Sequence, residues 1–135
     1  MKRAELLQIV ADLFVFQTAT DSEQNEYILL RGSCDSDLLH HIPDKTEFEC
    51  SCNHIHLLDH VRKQERASLE LIARQFADAL LKILKYDYPQ KHFRVFATIS
   101  DSFTIRFHQD WPGEPPFCNT EDFVNSHEFV YMAEG

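Results

Sequence analysis

The chain is poor in the residues that build flexible or phosphate-cradling segments. It has 3 glycines and 5 prolines in 135 residues. So few glycines nearly exclude a glycine-rich nucleotide loop, whose backbone must approach phosphate unobstructed by side chains. No low-complexity tract is present, and 44% of residues are hydrophobic. That excludes disorder, which needs low hydrophobicity together with high charge. No apolar run approaches the roughly 18–20 residues of a membrane span. The opening Met1-Lys2-Arg3 imitates a signal peptide, but Glu5, Gln8 and Asp12 interrupt the apolar stretch. No small-residue cleavage site follows, so the segment reads as an amphipathic helix and a cytoplasmic protein is expected.

Positive charge is also scarce. There are 13 Lys and Arg against 22 Asp and Glu, a net charge of −9. The balance is −6 over residues 1–56, +3 over 57–100 and −6 over 101–135. Nucleic-acid binding needs a positive surface that displaces counterions from phosphates, and an anionic membrane needs the same. Neither partner is expected. The four cysteines, Cys34, Cys50, Cys52 and Cys118, are irregularly spaced, and reduced thiols are expected.

What is present is burial patterning. Leu6, Val10 and Leu13, widened by Leu7, Ala11 and Phe14, predict a helix over about 3–13. Phe14 to Thr18 fits either its last turn or a strand. Residues 20–26 read as a loop, and 27–31 as a strand closed by Gly32. Leu38 and Leu39 are expected to pin the following turn-rich stretch to the core. Lys45 to Asn53 alternates, with Phe48, Cys50 and Cys52 on one face and Glu47, Glu49 and Ser51 on the other, and predicts a half-buried strand.

A long amphipathic helix is predicted from about Leu57 to Tyr86, most securely from Ala67 to Lys85. Leu69, Ile72, Phe76, Leu80 and Ile83 form its stripe, and Glu70–Arg74 and Asp78–Lys82 are spaced as ion pairs. Pro89 prevents its continuation. Phe93, Val95, Ala97 and Ile99, then Phe103, Ile105 and Phe107, predict a hairpin over 92–108. Its apolar rows share a face only if Ile99 opposes Phe103 and Ala97 opposes Ile105. A three-residue loop with Asp101 or Ser102 in the left-handed region is therefore expected. Asn119 or Thr120 caps a short helix over about 121–125, and 128–132 reads as a last strand. The whole is an α+β domain over residues 1–135. An antiparallel β-sheet packs in two layers against one long amphipathic helix, with shorter N- and C-terminal helices.

Catalytic signatures are lacking. Cys34, Cys118 and several serines could be nucleophiles among eight histidines, but no Gly-x-Ser-x-Gly or papain-like context surrounds them. Glu121 and Asp122 suit a helix start better than acid–base work. The function expected is a non-enzymatic interaction or inhibitor-type module binding a basic protein partner. Its contact residues would be Trp111, Asp110, Glu114 and Phe117, in a proline-stiffened loop with acidic flanks. No cofactor is expected on that reading. The alternative is a site for zinc or another transition metal using Cys50, Cys52, His54, His56 and His60. These are zinc-type ligands, but four on a straight strand would span about 20 Å, too far to close around one ion.

Overall fold

The computed structural model describes residues 2–33 and 40–135. The expectations for Cys34, Leu38 and Leu39 lie outside them. The first helix, α1, spans Arg3–Leu13. Strands β1 (Phe16–Thr20) and β2 (Glu26–Leu30) form an antiparallel two-stranded sheet. Between them the buried Asp21 accepts hydrogen bonds from the Glu23 and Asn25 backbone amides, the Asn25 side-chain amide and the Tyr27 hydroxyl. Burial pushes its pKa up, but the bonds from Tyr27, Asn25 and Glu23 outweigh it and hold the carboxyl at about 2. This network closes the turn in which Gln24 takes φ 68.

The segment predicted as a strand is instead helix α2, Lys45–Cys52. The 45–53 alternation does not make a strand. The buried residues are Thr46, Glu49, Cys50, Cys52 and, just past the end, Asn53; Thr46, Glu49, Cys50 and Asn53 form a stripe at helical spacing made mostly of polar side chains. Asp44 caps the helix by accepting from the Glu47 amide at 2.9 Å.

The chain then enters strand β3, His54–Leu58. The long helix therefore does not begin at Leu57. A 3₁₀ turn over Lys63–Glu65 leads into α3, Arg66–Asp87. Ile55 and Leu57 face inward with His54, His56 and Leu58 outward, a strand pattern that overrides the helical one. Neither predicted ion pair on α3 forms. Arg74 lies over the rings of Phe129 and Tyr131 at 5.2 and 5.0 Å, and Asp78 accepts from the Tyr131 hydroxyl at 2.7 Å. Exposed pairs on one helix contribute only a few tenths of a kcal/mol, so a neighbouring aromatic strand displaces them.

Strands β4 (Phe93–Ile99), β5 (Phe103–Gln109) and β6 (Phe129–Glu134) complete a four-stranded antiparallel sheet of order β3-β5-β4-β6. Ile99 opposes Phe103 and Ala97 opposes Ile105, the register that the shared apolar face demands. The expected left-handed residue is absent from the loop. Asp101 and Ser102 keep negative φ; the Ser100 amide donates to the Ser102 carbonyl and the Val61 amide to that of Asp101. Asn119 caps a 3₁₀ turn over Thr120–Phe123 ahead of β6.

The fold is α+β. Helix α3 covers one face of the larger sheet, with Leu69, Ala73, Phe76, Ala77, Leu80 and Leu84 against Phe93, Val95, Ala97, Ile99, Phe103, Ile105 and Phe107. Leu6 and Val10 of α1, with Phe14 just past its end, complete that core. A second, smaller cluster joins Ala19, Tyr27, Leu29 and Cys52 to Ile42, Phe48 and Trp111. None of the described helices is long and apolar enough to cross a membrane.

Candidate functional site

Helix α2 sits where the two sheets meet, and its side chains substitute for a strand. The edge of β2 that faces away from β1 would otherwise leave Ile28 and Leu30 unpaired. Asn53 accepts from the Leu30 amide at 2.9 Å and donates to the Ile28 carbonyl at 2.8 Å. Its own carbonyl accepts from the Phe107 amide, so one fully buried residue joins β2 to β5. One turn earlier, Glu49 does the same with a carboxylate. Oε1 accepts from the Gln109 amide and the Trp111 indole, both at 2.7 Å. Oε2 accepts from the Ile28 amide at 3.0 Å and the Gln109 side-chain amide at 2.8 Å.

Glu49 is fully buried. Burial outweighs the bonds from Gln109, Ile28 and Trp111 and leaves its pKa above the ordinary carboxylate value. Every contact to its oxygens comes from a donor, the shell of an ionised carboxylate.

Trp111 is thereby fixed with its indole N–H on Glu49 and its ring 5.1 Å from that of Tyr27. The turn that follows is written in Pro112-Gly113. Proline presets the first corner, Gly113 supplies φ +78, and the Glu114 amide donates back to the Trp111 carbonyl. The turn returns Glu114 to the start of α2, where it accepts from the Lys45 and Thr46 amides at 3.2 and 2.7 Å. Burial raises its pKa, but Thr46, the two amides and the Lys45 ammonium 3.8 Å away bring it below the usual value.

Between α2 and this loop lies a cleft of about 320 Å³ lined by Pro43, Asp44, Thr46, Glu47, Glu114, Pro115, Pro116 and Phe117. Three of those residues are carboxylates. Asp44 and Glu114 are used in capping, while the exposed Glu47 carboxylate has no bond among the described residues. The Thr46 hydroxyl is sealed from solvent beside the Glu114 carboxyl, whose pKa it helps to lower. Prolines and Phe117 form apolar walls.

The four loop residues singled out in the sequence thus separate. Glu114 and Phe117 line the cleft, Trp111 supports it from within, and Asp110 lies apart, 3.5 Å from Arg94. The thiol and imidazole candidates separate further. Cys50 is buried in α2, His54 and His56 are exposed on β3 with ring centroids 5.7 Å apart, and His60 lies in the loop beyond. Cys52 is disulfide-bonded, so the expectation of reduced thiols fails there and it offers no thiolate; Cys50 and Cys118 are free. Among the described residues, no three His, Cys, Asp or Glu could hold one ion together. Sequence reasoning missed Asp44, Thr46, Glu47, Glu49 and Asn53. The Asp44-x-x-Glu47 spacing was the signal that could have found them, since it is a helix-start pattern.

His108 holds the far side of the loop. It is 1% exposed, its Nδ1 donates to the Gln109 carbonyl, and its Nε2 accepts from the Phe117 amide at 3.2 Å. Burial, joined by the Arg94 charge, keeps its pKa below 6.5. The unfolded chain therefore takes up this proton first as pH falls below about 6.5. Stability from the neutral ring is full above that pH and declines below it, until the folded pKa is passed. Urea titrations should show wild type losing stability relative to His108→Gln between about pH 6.5 and 5, by up to about 1.4 kcal/mol per pH unit. A pH-independent difference would contradict this.

A family model described as the Uncharacterized protein PM0498 family matches residues 9–133. No curated protein and no solved structure matches the chain.

Proposed function

The chain belongs to the Uncharacterized protein PM0498 family, and from the chemistry of its α2 cleft we propose that it is a non-enzymatic binding module for a basic segment of a protein partner. The observation that carries the reading is the cleft's lining. A cationic side chain entering it meets the uncommitted Glu47 carboxylate, while its aliphatic stem lies on prolines and Phe117. The walls are pre-ordered. Glu114 is held by two backbone amides and the loop by Trp111, so little conformational freedom remains to be lost on binding. The net charge of −9 adds long-range attraction for a basic partner.

Calorimetric titration with a short arginine- and lysine-rich peptide tests the proposal. Affinity should fall steeply toward about 0.5 M salt, where exposed charges are screened. Glu47→Lys should weaken binding about tenfold or more. Equal affinity in wild type and Glu47→Lys would refute the proposal.

A further inference from the structure

Arg106 stands in the middle of β5 without a counterion. Lys45, Arg62, Lys91 and Arg94 each have a carboxylate within 4.0 Å; Arg66 and Lys85 donate to backbone carbonyls, and Arg74 lies on two aromatic rings. Arg106 is half-buried and makes no ion pair or hydrogen bond among the described residues. Its Nε is sealed from solvent with no partner, and the ring of Phe117 covers the guanidinium at 4.8 Å. Its charge acts on the thiols of Cys50 and Cys118, the first of which also feels Glu49 and Glu47 and the second Asp122 and Glu128. Burial pushes both thiols up, so they remain neutral and supply no negative charge. A desolvated guanidinium without an acceptor is costly, and natural proteins seldom leave one.

The strand register places two more donors beside it. His54 opposes Arg106, and His56 opposes Thr104, so all four residues share the sheet face turned away from α3. The δ nitrogens are occupied: that of His54 with the Ser51 carbonyl at 2.9 Å, and that of His56 with the Thr104 hydroxyl at 3.1 Å. The ε nitrogens make no bond among the described residues, and both imidazoles are exposed. On the β4 side the opposing residue is Phe96, which brings no charge. The result is a cationic corner walled by Phe117, with no carboxylate in ion-pairing distance of Arg106 among the described residues, on a chain of net charge −9.

We propose that Arg106, flanked by His54 and His56, is a binding site for a small oxyanion, a carboxylate or a phosphate group. The guanidinium fork would take two of its oxygens through the terminal nitrogens, and an imidazole ε nitrogen would meet a third contact. Phe117 lies between this site and the α2 cleft, packing on Arg106 here and lining the cleft there. The two sites take ligands of opposite charge.

The test follows the Arg106 Nε–H and the His54 and His56 ring signals by NMR during separate titrations with sodium phosphate and sodium acetate, at ionic strength held constant with sodium chloride. A saturating shift is expected with at least one anion, with half-saturation between about 0.1 and 10 mM. Saturation by phosphate at the lower concentration assigns a phosphate-bearing ligand; saturation by acetate assigns a carboxylate. Arg106→Lys keeps the charge but loses the fork, and should weaken binding about tenfold. Because that side chain is half-buried, a second variant replaces the exposed pair, His54→Ala with His56→Ala, and should weaken binding about threefold or more. Shifts that fail to saturate with both anions overturn the proposal, as does a saturating shift of equal midpoint in the His54/His56 variant and wild type.

Discussion

Replacing Glu49 with alanine should destabilise the fold by about 3–5 kcal/mol, the cost typical of breaking a buried charged network. The substitution orphans the amides of Ile28 and Gln109 and the indole of Trp111 together, and takes one acceptor from the Gln109 side chain, which keeps the Glu26 carbonyl. Each unpaired buried donor costs about 1–3 kcal/mol, and the costs overlap because neighbours relax jointly. Glu49→Gln is the sharper variant. It keeps the volume but sets an amide NH₂ against donors that need an acceptor, so it too should lose about 2 kcal/mol or more. The check is a urea titration in which the midpoint falls and the slope stays constant. A loss under about 1 kcal/mol for Glu49→Ala would mean that water or a rearranged Gln109 replaces the carboxylate at little cost.

Asn53→Ala should cost about 2–4 kcal/mol, since a buried donor and a buried acceptor lose their partners at once. The Leu30 amide and the Ile28 carbonyl would face the vacated space, and the edge of β2 would keep only the Ile28–Glu49 bond to α2. The link from the Asn53 carbonyl to the Phe107 amide is backbone and survives, which keeps β5 attached. The amides of Leu30 and its β2 neighbours should then exchange with solvent faster than those of β5. Asn53→Asp separates the two bonds: it retains an acceptor for Leu30 but turns an oxygen toward the Ile28 carbonyl, so it should fall between wild type and alanine. Equal protection of Leu30 in Asn53→Ala and wild type would contradict this role.

Some of this was open to reading in the sequence. The start of α1, the body of α3 and the 93–109 hairpin follow from periodicity that nothing contests, whereas residues 14–18 fit the end of α1 and a strand equally. The pairing of Ile99 with Phe103 followed from the requirement that two apolar rows share a face. Helix α2 was not legible in the same way. Phe48, Cys50 and Cys52 alternate like a strand, whereas the buried set also takes in Thr46, Glu49 and Asn53 at helical spacing. A glutamate is assigned to solvent by default because an isolated buried carboxylate is too costly. Its partners lie between 21 and 62 residues away, and no local pattern announces them. The helix-start pair Asp44 and Glu47 was the local clue, and it was outweighed.

The candidate site divides along the same line. Proline and glycine at 112 and 113 fix the turn that returns Glu114 to α2, and that much is local chemistry. The direction of Trp111, inward onto Glu49, depends on the buried carboxylate that periodicity had placed outside. The start of α3 was misplaced because His54 to Leu58 satisfies both an alternating and a helical pattern over so short a span. The face shared by Arg106, His54 and His56 needed the pairing of β3 with β5, which joins segments about 50 residues apart and has no turn to fix its register.

These results make α2 a helix with two duties. Its inner face fastens the sheets together, and its outer end, with the 111–117 loop, presents the cleft. An amide ¹H–¹⁵N titration of the full chain with the arginine- and lysine-rich peptide observes both at once. Signals of Thr46, Glu47, Glu114 and Phe117 should move and saturate together, while those of Ile28, Leu30, Phe107 and the Trp111 indole stay in place. Saturating shifts elsewhere with residues 43–47 and 114–117 unmoved would contradict the account.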